Sequence, residues 1–513
     1  MKLAFILLFT LCVFSGCTSI NRLDTQVRET VAAKAKVGNV SSNVVTDSFY
    51  ERESPGDTMP PQVIDLDTAL NLGSTYSRAL QTRREDLYIS GVSVLAERRS
   101  FGLQYAGTLD FIVSRVSGQD AVTASSGNIR THRILPTGGQ INLRTGLSGR
   151  DTGGATNTFY NSYAGFDIRQ PLLAGAGYEA SHLTLIQEEQ NLLYAIREFA
   201  LNRQDFAIKI LRDYYDLLRI KAVVENTVKN TEQSEFLRRR SEALFKIRKA
   251  TAMDVMRSQQ QELSAINRLE LVRANFDIAV KRFLMNIGIP ANTEVVITGD
   301  IPDLKPAAVG MTKCIEAALE LRLDLHTERD KIEDAARSLR VARNAMLPVL
   351  SATGAAMLTG EGEDSFPSGN TETELSAGME LELPLDKRNE RDNVSRAIIA
   401  HTRARRNAEQ KREEIEVQII ESFRLLKTQE QTVRIEKKNS EIARRRADYA
   451  VLQFKSGNFS NRDVVEAQNE LLNAENAYVD ALSSYETRRI QLLREIGALD
   501  VTTDGKLVEL PVQ

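Results

Sequence analysis

The residues of this chain that could do chemistry are few and scattered. In AGAGYEA, Gly175-x-Gly177-x-x-Ala180 follows a strand-like stretch and opens a helical one. That is the arrangement with which a dinucleotide's pyrophosphate is cradled on backbone amides. It must be completed by a parallel strand within a unit of ~30 residues, whereas here the helical pattern runs on to residue 245. The glycines therefore read as a corner between strand and helix, and no cofactor is expected. The four histidines, His132, His182, His326 and His401, are isolated, with no pair at metal-ligand spacing. Glu361, Glu363 and Asp364 could gather a divalent cation, but their spacing matches no calcium loop, and a solvated loop is the better reading. With no nucleophile motif and no nucleotide loop, the chain reads as something other than an enzyme.

Composition points the same way. Charged residues make up 26% of 513, yet the formal net charge is only −3, so there is no electrostatic case for nucleic acid. Aromatics are 6% and Trp is absent, which suits long solvated helices better than one compact core. At the start, MKLAFILLFTLCVFSGC has one Lys, an apolar run from Leu3 to Phe14, then Ser15, Gly16 and Cys17. The run is too short to span a bilayer as a helix and fits an export signal. Small residues directly before Cys resemble the bacterial lipoprotein cleavage box, with residues 1–16 removed and Cys17 lipidated; ordinary signal cleavage near Cys17 is the alternative. Cys314 is then the only other mature thiol, so no internal disulfide is available, and it reads as a buried small hydrophobe.

The elements that must position any site come in two similar sets. Residues 17–60 are polar and read as an extended, lipid-anchored tether. Residues 61–310 then run helix, strands, long helix, helix, and residues 311–499 repeat that order, leaving a tail at 500–513. FKIRKATAMDVMRSQ from Phe245 and FKSGNFSNRDVVEAQ from Phe454 are 209 residues apart, as are Ile287–Gly288 and Ile496–Gly497. This is an internal duplication. The long helical patterns, about 178–245 and 386–455, would each extend roughly 100 Å, matched by two shorter helices of about 38 residues laid end to end. Ile415, Ile419, Ser422, Leu426, Gln429 and Val433 step four and three apart, a coiled-coil-like seam.

Between the helices lie strands of strict alternation. In LSAGMELEL, Leu375, Ala377, Met379, Leu381 and Leu383 share one face, against Ser376, Gly378, Glu380 and Glu382. Ala164, Phe166 and Ile168 likewise oppose Gly165, Asp167 and Arg169; Ile141, Leu143 and Leu147 oppose Asn142 and Arg144. Alternation fits a soluble sheet with one wet face, or a barrel with lipid outside and water inside. The export signal and strand lengths favour the barrel, with Asp167, Arg169, Glu380 and Glu382 lining its lumen. One chain offers about four to six strands, too few to close in lipid, so several copies must share the barrel. A strand-like stretch at 103–115 reads as a further barrel strand or as part of an inserted hairpin.

Together, the duplicated strand-helix plan, QPLLAGAG after the first strands, LPTGGQ at 135–140 and GNFSNRDVVEAQNELL resemble the TolC family of outer-membrane efflux channels over nearly all of the mature chain. The resemblance implies an α+β membrane protein: a homotrimer with a shared twelve-stranded transmembrane β-barrel and a long α-helical coiled-coil barrel forming a periplasmic tunnel. It implies partners as well, a periplasmic adaptor and through it an inner-membrane pump, in a tripartite efflux or type I secretion system. Outer-membrane lipid surrounds the barrel, and no nucleic acid is involved. A pore-free periplasmic coiled-coil scaffold or adaptor is the alternative, but a scaffold needs no two-faced strands.

The resemblance also places the two related segments at helix-helix turns near the periplasmic tip, where the adaptor docks. Phe454, Gly457, Ser460 and Asp463 match in the second half; Phe245, Thr251 and Asp254 match in the first, with Arg248 where the pattern has Gly. A left-handed turn costs Arg more than Gly, so the first turn is expected to depart from the second. Ser460 and Thr251 can cap the helices that follow, each with an acid three residues on. Family tunnels narrow here to an acidic constriction, for which Asp463 and Glu466 are the matches; alternatively Asp463 serves as a cap and only Glu466 faces water.

Overall fold

The computed structural model describes residues 20–38, 63–115, 121–152, 159–306, 310–362, 371–456, 458–502 and 504–510. Cys17, the signal before it, residues 39–60, Glu363, Asp364 and Gly457 lie outside them. In chain order the elements are α1 (Ile20–Val37), β1 (Val63–Ile64), α2 (Leu66–Tyr76), α3 (Arg78–Ser100), β2 (Gln104–Ser114), β3 (Val122–Ile134), β4 (Gln140–Thr152), β5 (Phe159–Pro171), α4 (Tyr178–Ser181), α5 (Leu183–Lys246), α6 (Ala252–Ile287) and β6 (Val296–Ile297). The second half follows with α7 (Met311–Leu321), α8 (Leu323–Asn344), β7 (Val349–Gly362), β8 (Thr371–Glu382), α9 (Arg388–Lys455), α10 (Asn461–Ile496), β9 (Leu499–Val501) and β10 (Leu507–Glu509). The repeats do not form separate bodies: each of two compact units draws segments from both.

One unit holds the sheet, of strand order β2-β3-β4-β5-β7-β8, antiparallel throughout. The 103–115 stretch is therefore a sheet strand, paired as a hairpin with β3 from Gln104↔His132 to Ser114↔Val122 without a bulge. The same unit contains α1, which corrects the expectation of an extended tether across residues 20–37. Val27, Val31 and Ala35 recur every four residues and are buried, so a helix can bury one face where an extended strand could not. Val27 sits over Gly91 of α3, where an added Cβ would lie 2.7 Å from it. Lys34 of α1 and Arg98 of α3 both pair with Glu189 of α5, at 3.5 and 2.7 Å.

The other unit holds several apolar cores. The predicted seam is one of them: Ile415, Ile419, Leu426 and Val433 are buried against Leu482 and Tyr485 of α10, and Gln429 donates to the Ala481 carbonyl at 3.1 Å. A second gathers Ile210, Leu217, Phe283, Leu284, Leu499 and Val501. Leu499 and Val501 belong to the β9–β10 hairpin, so the segment read as a tail is built into a core.

The first helix of each repeat is broken, where the sequence suggests one continuous helix. Ser77 and Arg322 take extended backbone, at φ −65°, ψ 122° and φ −69°, ψ 119°. Each break is met by the end of another helix. Gly288 closes α6 at φ +87°, where a Cβ would stand 2.2 Å from the Tyr76 carbonyl oxygen; Gly497 closes α10 at φ +82°, 2.9 Å from Leu321 Cβ. These Ile-Gly pairs thus mark joints where helices meet end to end, closer than any side chain permits. At the second break, Arg322 forks onto Asp324 at 2.9 and 2.6 Å and donates to Gln418 at 2.9 Å, while Lys411 approaches Asp324 at 3.1 Å. Burial opposes the Asp324 charge, but these two cations overcome it and hold the carboxyl well below the usual carboxylate range.

Candidate functional site

Two surfaces carry the residues singled out from the sequence, and each belongs to one unit. In the sheet, the observed register settles which side chains share a face. One face carries Tyr105, Leu109, Phe111, Ile129, Leu143, Phe166, Leu358, Leu375, Met379 and Leu381, every one at least two-fifths exposed. Soluble sheets bury such a face on a core; this one stays open across six strands, far beyond the scattered apolar exposure normal in water.

The opposite face is polar and internally bonded. Asp167 accepts from Asn142 Nδ2 at 2.7 Å and pairs with Arg144 at 2.9 Å, and Asn142 Oδ1 meets His132 Nδ1 at 2.6 Å. Arg169 reaches across β7 to Glu380 of β8 at 3.1 Å, touching Ser351 at 3.4 Å on the way. Glu382 is exposed two residues farther along the same strand. All four side chains assigned to a lumen therefore project from the polar face.

The glycine motif lies where the sheet passes into α5. Gly175 and Gly177 take φ +78° and +95°. Their amides are already used, Gly175 N–H donating to Asn344 Oδ1 at 2.8 Å and Gly177 N–H to the Thr137 carbonyl at 3.0 Å. Thr137 belongs to LPTGGQ, whose Gly138 would place a Cβ 2.5 Å from the Gly175 carbonyl oxygen. The two glycine motifs thus pack on each other as a corner, leaving these donors unable to hold a phosphate. His182 follows in an aromatic stack with Phe101 and Tyr178, centroids 4.1 and 4.6 Å away, where burial pushes its pKa down.

The second surface is the pair of turns in the other unit. After α5, Lys249 N–H donates to the Leu244 carbonyl at 2.8 Å and Arg248 N–H to Phe245 at 2.9 Å, the Schellman pattern. Arg248 takes φ +59°, the one non-glycine at positive φ among the described residues. The expected departure of the first turn is therefore corrected: Arg248 adopts the left-handed conformation despite its Cβ, held there by two carbonyls that would otherwise lack partners. In the second turn, Asn458 N–H donates to Gln453 at 3.0 Å, the equivalent bond 209 residues on.

Both helices that follow are capped as anticipated. Thr251 N–H donates to Asp254 Oδ2 at 3.0 Å while Asp254 N–H donates to Thr251 Oγ1 at 3.2 Å. Ser460 donates to Asp463 Oδ2 from its amide at 2.8 Å and its hydroxyl at 2.7 Å. The side-chain hydrogen bonds from Thr251 and Ser460, then their amides, hold the two carboxyls below the ordinary aspartate value. Glu466 is exposed and lies 3.6 Å from Arg446 of α9, which also pairs with Glu470.

The phenylalanines diverge between copies. Phe454 packs on a core of Leu237, Ala447, Ala450, Val464 and Ala467, with Arg240 5.0 Å above its ring. Phe245 is half exposed, and Ile247, Met253 and Met256, in the same turn and the first turns of the helix after it, are about three-fifths exposed. Sequence reasoning passed over this apolar patch, although Met253 and Met256, three apart beside a cap, were a legible signal. It also missed Asn461, buried between the turns and donating to the Asp254 carbonyl at 3.4 Å.

A chain that joins an open-faced apolar sheet to long paired helices has the plan of an outer-membrane channel, and its fold agrees. The chain is similar to CmeC, the outer membrane channel of Campylobacter jejuni, at 14% identity and TM-score 0.64 over 89% of this chain and 91% of that one. VceC from Vibrio cholerae matches at 14% and 0.63 over 84% and 96%, and the Neisseria gonorrhoeae channel MtrE, solved in its open state, at 12% and 0.63 over 88% and 95%. No curated protein matches in sequence. Residues 314–498, nearly the whole second repeat, match the family model "Outer membrane efflux protein". The second repeat thus carries that family's pattern, and the chain as a whole shares the fold of these channels.

Proposed function

We propose that this chain is the protomer of a homotrimeric, passive export duct of the outer membrane, anchored by lipid on Cys17 and driven by an adaptor and an inner-membrane pump. The observation that carries the reading is the sheet: one face open and apolar across all six strands, the other lined by Asp167, Arg169, Glu380 and Glu382. Lipid satisfies the first face and a water-filled lumen the second. The turns support the adaptor role, because Phe245, Ile247, Met253 and Met256 give a partner an apolar purchase beside two rigidly capped helix starts. Threefold symmetry would gather the Asp463 and Glu466 carboxylates at the tip. Asp463 stays ionised while it caps, and Arg446 offsets part of the Glu466 charge, so the constriction favours cations modestly. Single-channel recording in planar bilayers is the test: the purified protein should insert and conduct with a cation preference, and protein that inserts yet never conducts sinks the reading.

A further inference from the structure

Among the described residues the sheet has two edges without a strand partner, β2 and β8. Over eleven and twelve residues they run without a bulge, Pro or Lys, the devices with which proteins blunt an exposed edge. Their apolar sides continue one face: Leu109 and Phe111 on β2 lie on the same side of the sheet as Leu375 and Met379 on β8. Within hydrocarbon an unpaired edge leaves a row of N–H and C=O groups without partners, at several kcal/mol for each group. Six antiparallel strands also set the directions, so that β8 runs opposite to β2. A second copy of the chain, placed beside the first, therefore offers β8 an antiparallel neighbour with the correct face outward.

The β2–β3 hairpin is particular to the first repeat. In the second repeat four residues, 345–348, join α8 to β7; in the first, 39 residues, 101–139, join α3 to β4 and contain the hairpin. Because β3 is fully paired with β4 from Val122↔Thr152 to Ile134↔Gln140, the hairpin occupies the edge that β4 would otherwise present.

We infer that β8 of each copy closes on β2 of the next, so every copy lends all six strands and a threefold assembly closes an eighteen-stranded barrel, rather than the twelve that the family resemblance implies. The inference rests on the channel reading above. With strands about 4.8 Å apart and tilted about 40°, eighteen strands close at a backbone diameter of roughly 36 Å and twelve at roughly 24 Å.

Disulfide trapping in the full-length protein tests the seam. Ser376→Cys, on the polar face of β8, is combined in turn with Ala106→Cys, Thr108→Cys and Asp110→Cys on the same face of β2, and with Asn142→Cys and Ser148→Cys on β4. Ser376 is five strands from β2 and three from β4 within its own copy, so any bridge must join two copies. At least one β2 pair should give reductant-sensitive dimers and trimers in most of the protein, and neither β4 pair should. Bridging through β4 alone overturns the inference while leaving a twelve-stranded channel; a trimer in which no β2 pair bridges overturns it too. A protein that neither bridges nor assembles removes the channel reading with it. Strands counted by electron cryo-microscopy of the unmodified protein decide independently of any variant: eighteen supports the seam, twelve refutes it.

Discussion

Replacing Leu109 by Arg should cripple insertion, while the same change one residue away should not. Leu109 is the central residue of the eleven in β2, about two-thirds exposed on the apolar face, covering Gly127 of β3. A strand of that length covers roughly 37 Å along its axis and, tilted about 40°, roughly 28 Å of membrane. Its centre therefore falls near the bilayer midplane, where an Arg on the lipid side costs about 2–4 kcal/mol. That corresponds to roughly a 30- to 700-fold shift in the folding equilibrium per copy, and to about 6–12 kcal/mol for three copies. Asp110 points from the opposite face, where it accepts from the Ser126 hydroxyl at 3.3 Å; Asp110→Arg should cost less than about 1 kcal/mol. The assay is urea-dependent folding into dilauroylphosphatidylcholine vesicles, read as the heat-modifiable, SDS-resistant species. Equal losses in the two variants, or a greater loss for Asp110→Arg, would refute the assignment of faces.

The helix joints make a second contrast: Gly288→Ala and Gly497→Ala both place a side chain at positive φ, at about 1–2 kcal/mol each. The Cβ of Gly288→Ala would stand 2.2 Å from the Tyr76 carbonyl oxygen, against 2.9 Å from Leu321 Cβ for Gly497→Ala, so Gly288→Ala should lower the apparent melting temperature further at equal scan rate. For Asp324 the folded pKa lies below the unfolded value of about 3.9, so its contribution is present above that pH and is lost as pH falls through the folded pKa. Asp324→Asn should cost about 2–3 kcal/mol at neutral pH and flatten the acid limb of the stability profile; an unchanged acid limb would count against the pairing. Arg248→Gly should be neutral or stabilising by up to about 1 kcal/mol in chemical denaturation, since it relieves the left-handed Arg while loosening the unfolded chain. At the tip, Met253→Glu with Met256→Glu should weaken adaptor crosslinking and leave the melting temperature unchanged; charge reversal at Asp254 or Asp463 would instead disturb a cap.

The parts legible in the sequence were those governed by local pattern. Strict alternation gave the two faces of β4, β5 and β8, because in a strand the face of a side chain follows from its position alone. The steps from Ile415 to Val433 likewise predicted a buried seam that the structure shows. Other features needed contacts that local pattern does not record. Ser77 and Arg322 break helices with neither Pro nor Gly at the break; what stops each helix is the end of another arriving from a distant part of the chain. The face of α1 rests on Val27, Val31 and Ala35 alone in a polar stretch, too thin a signal without Gly91 beneath it. Arg248 is the instructive case at the candidate site. Its intrinsic preference argued against a left-handed turn, and the hydrogen bonds of the Schellman closure outweighed that preference.

The inserted hairpin leaves a trace in the numbering itself. Leu66 at the head of α2 corresponds to Met311, 245 residues on, whereas Thr251 at the cap of α6 corresponds to Ser460, only 209 on. Aligning the chain with itself therefore cannot use one constant shift; the diagonal jumps by 36 residues between α3 and β4. A jump of about one hairpin, at a strand boundary and in one repeat only, is a mark by which other duplicated chains with an added edge hairpin can be picked out from sequence alone.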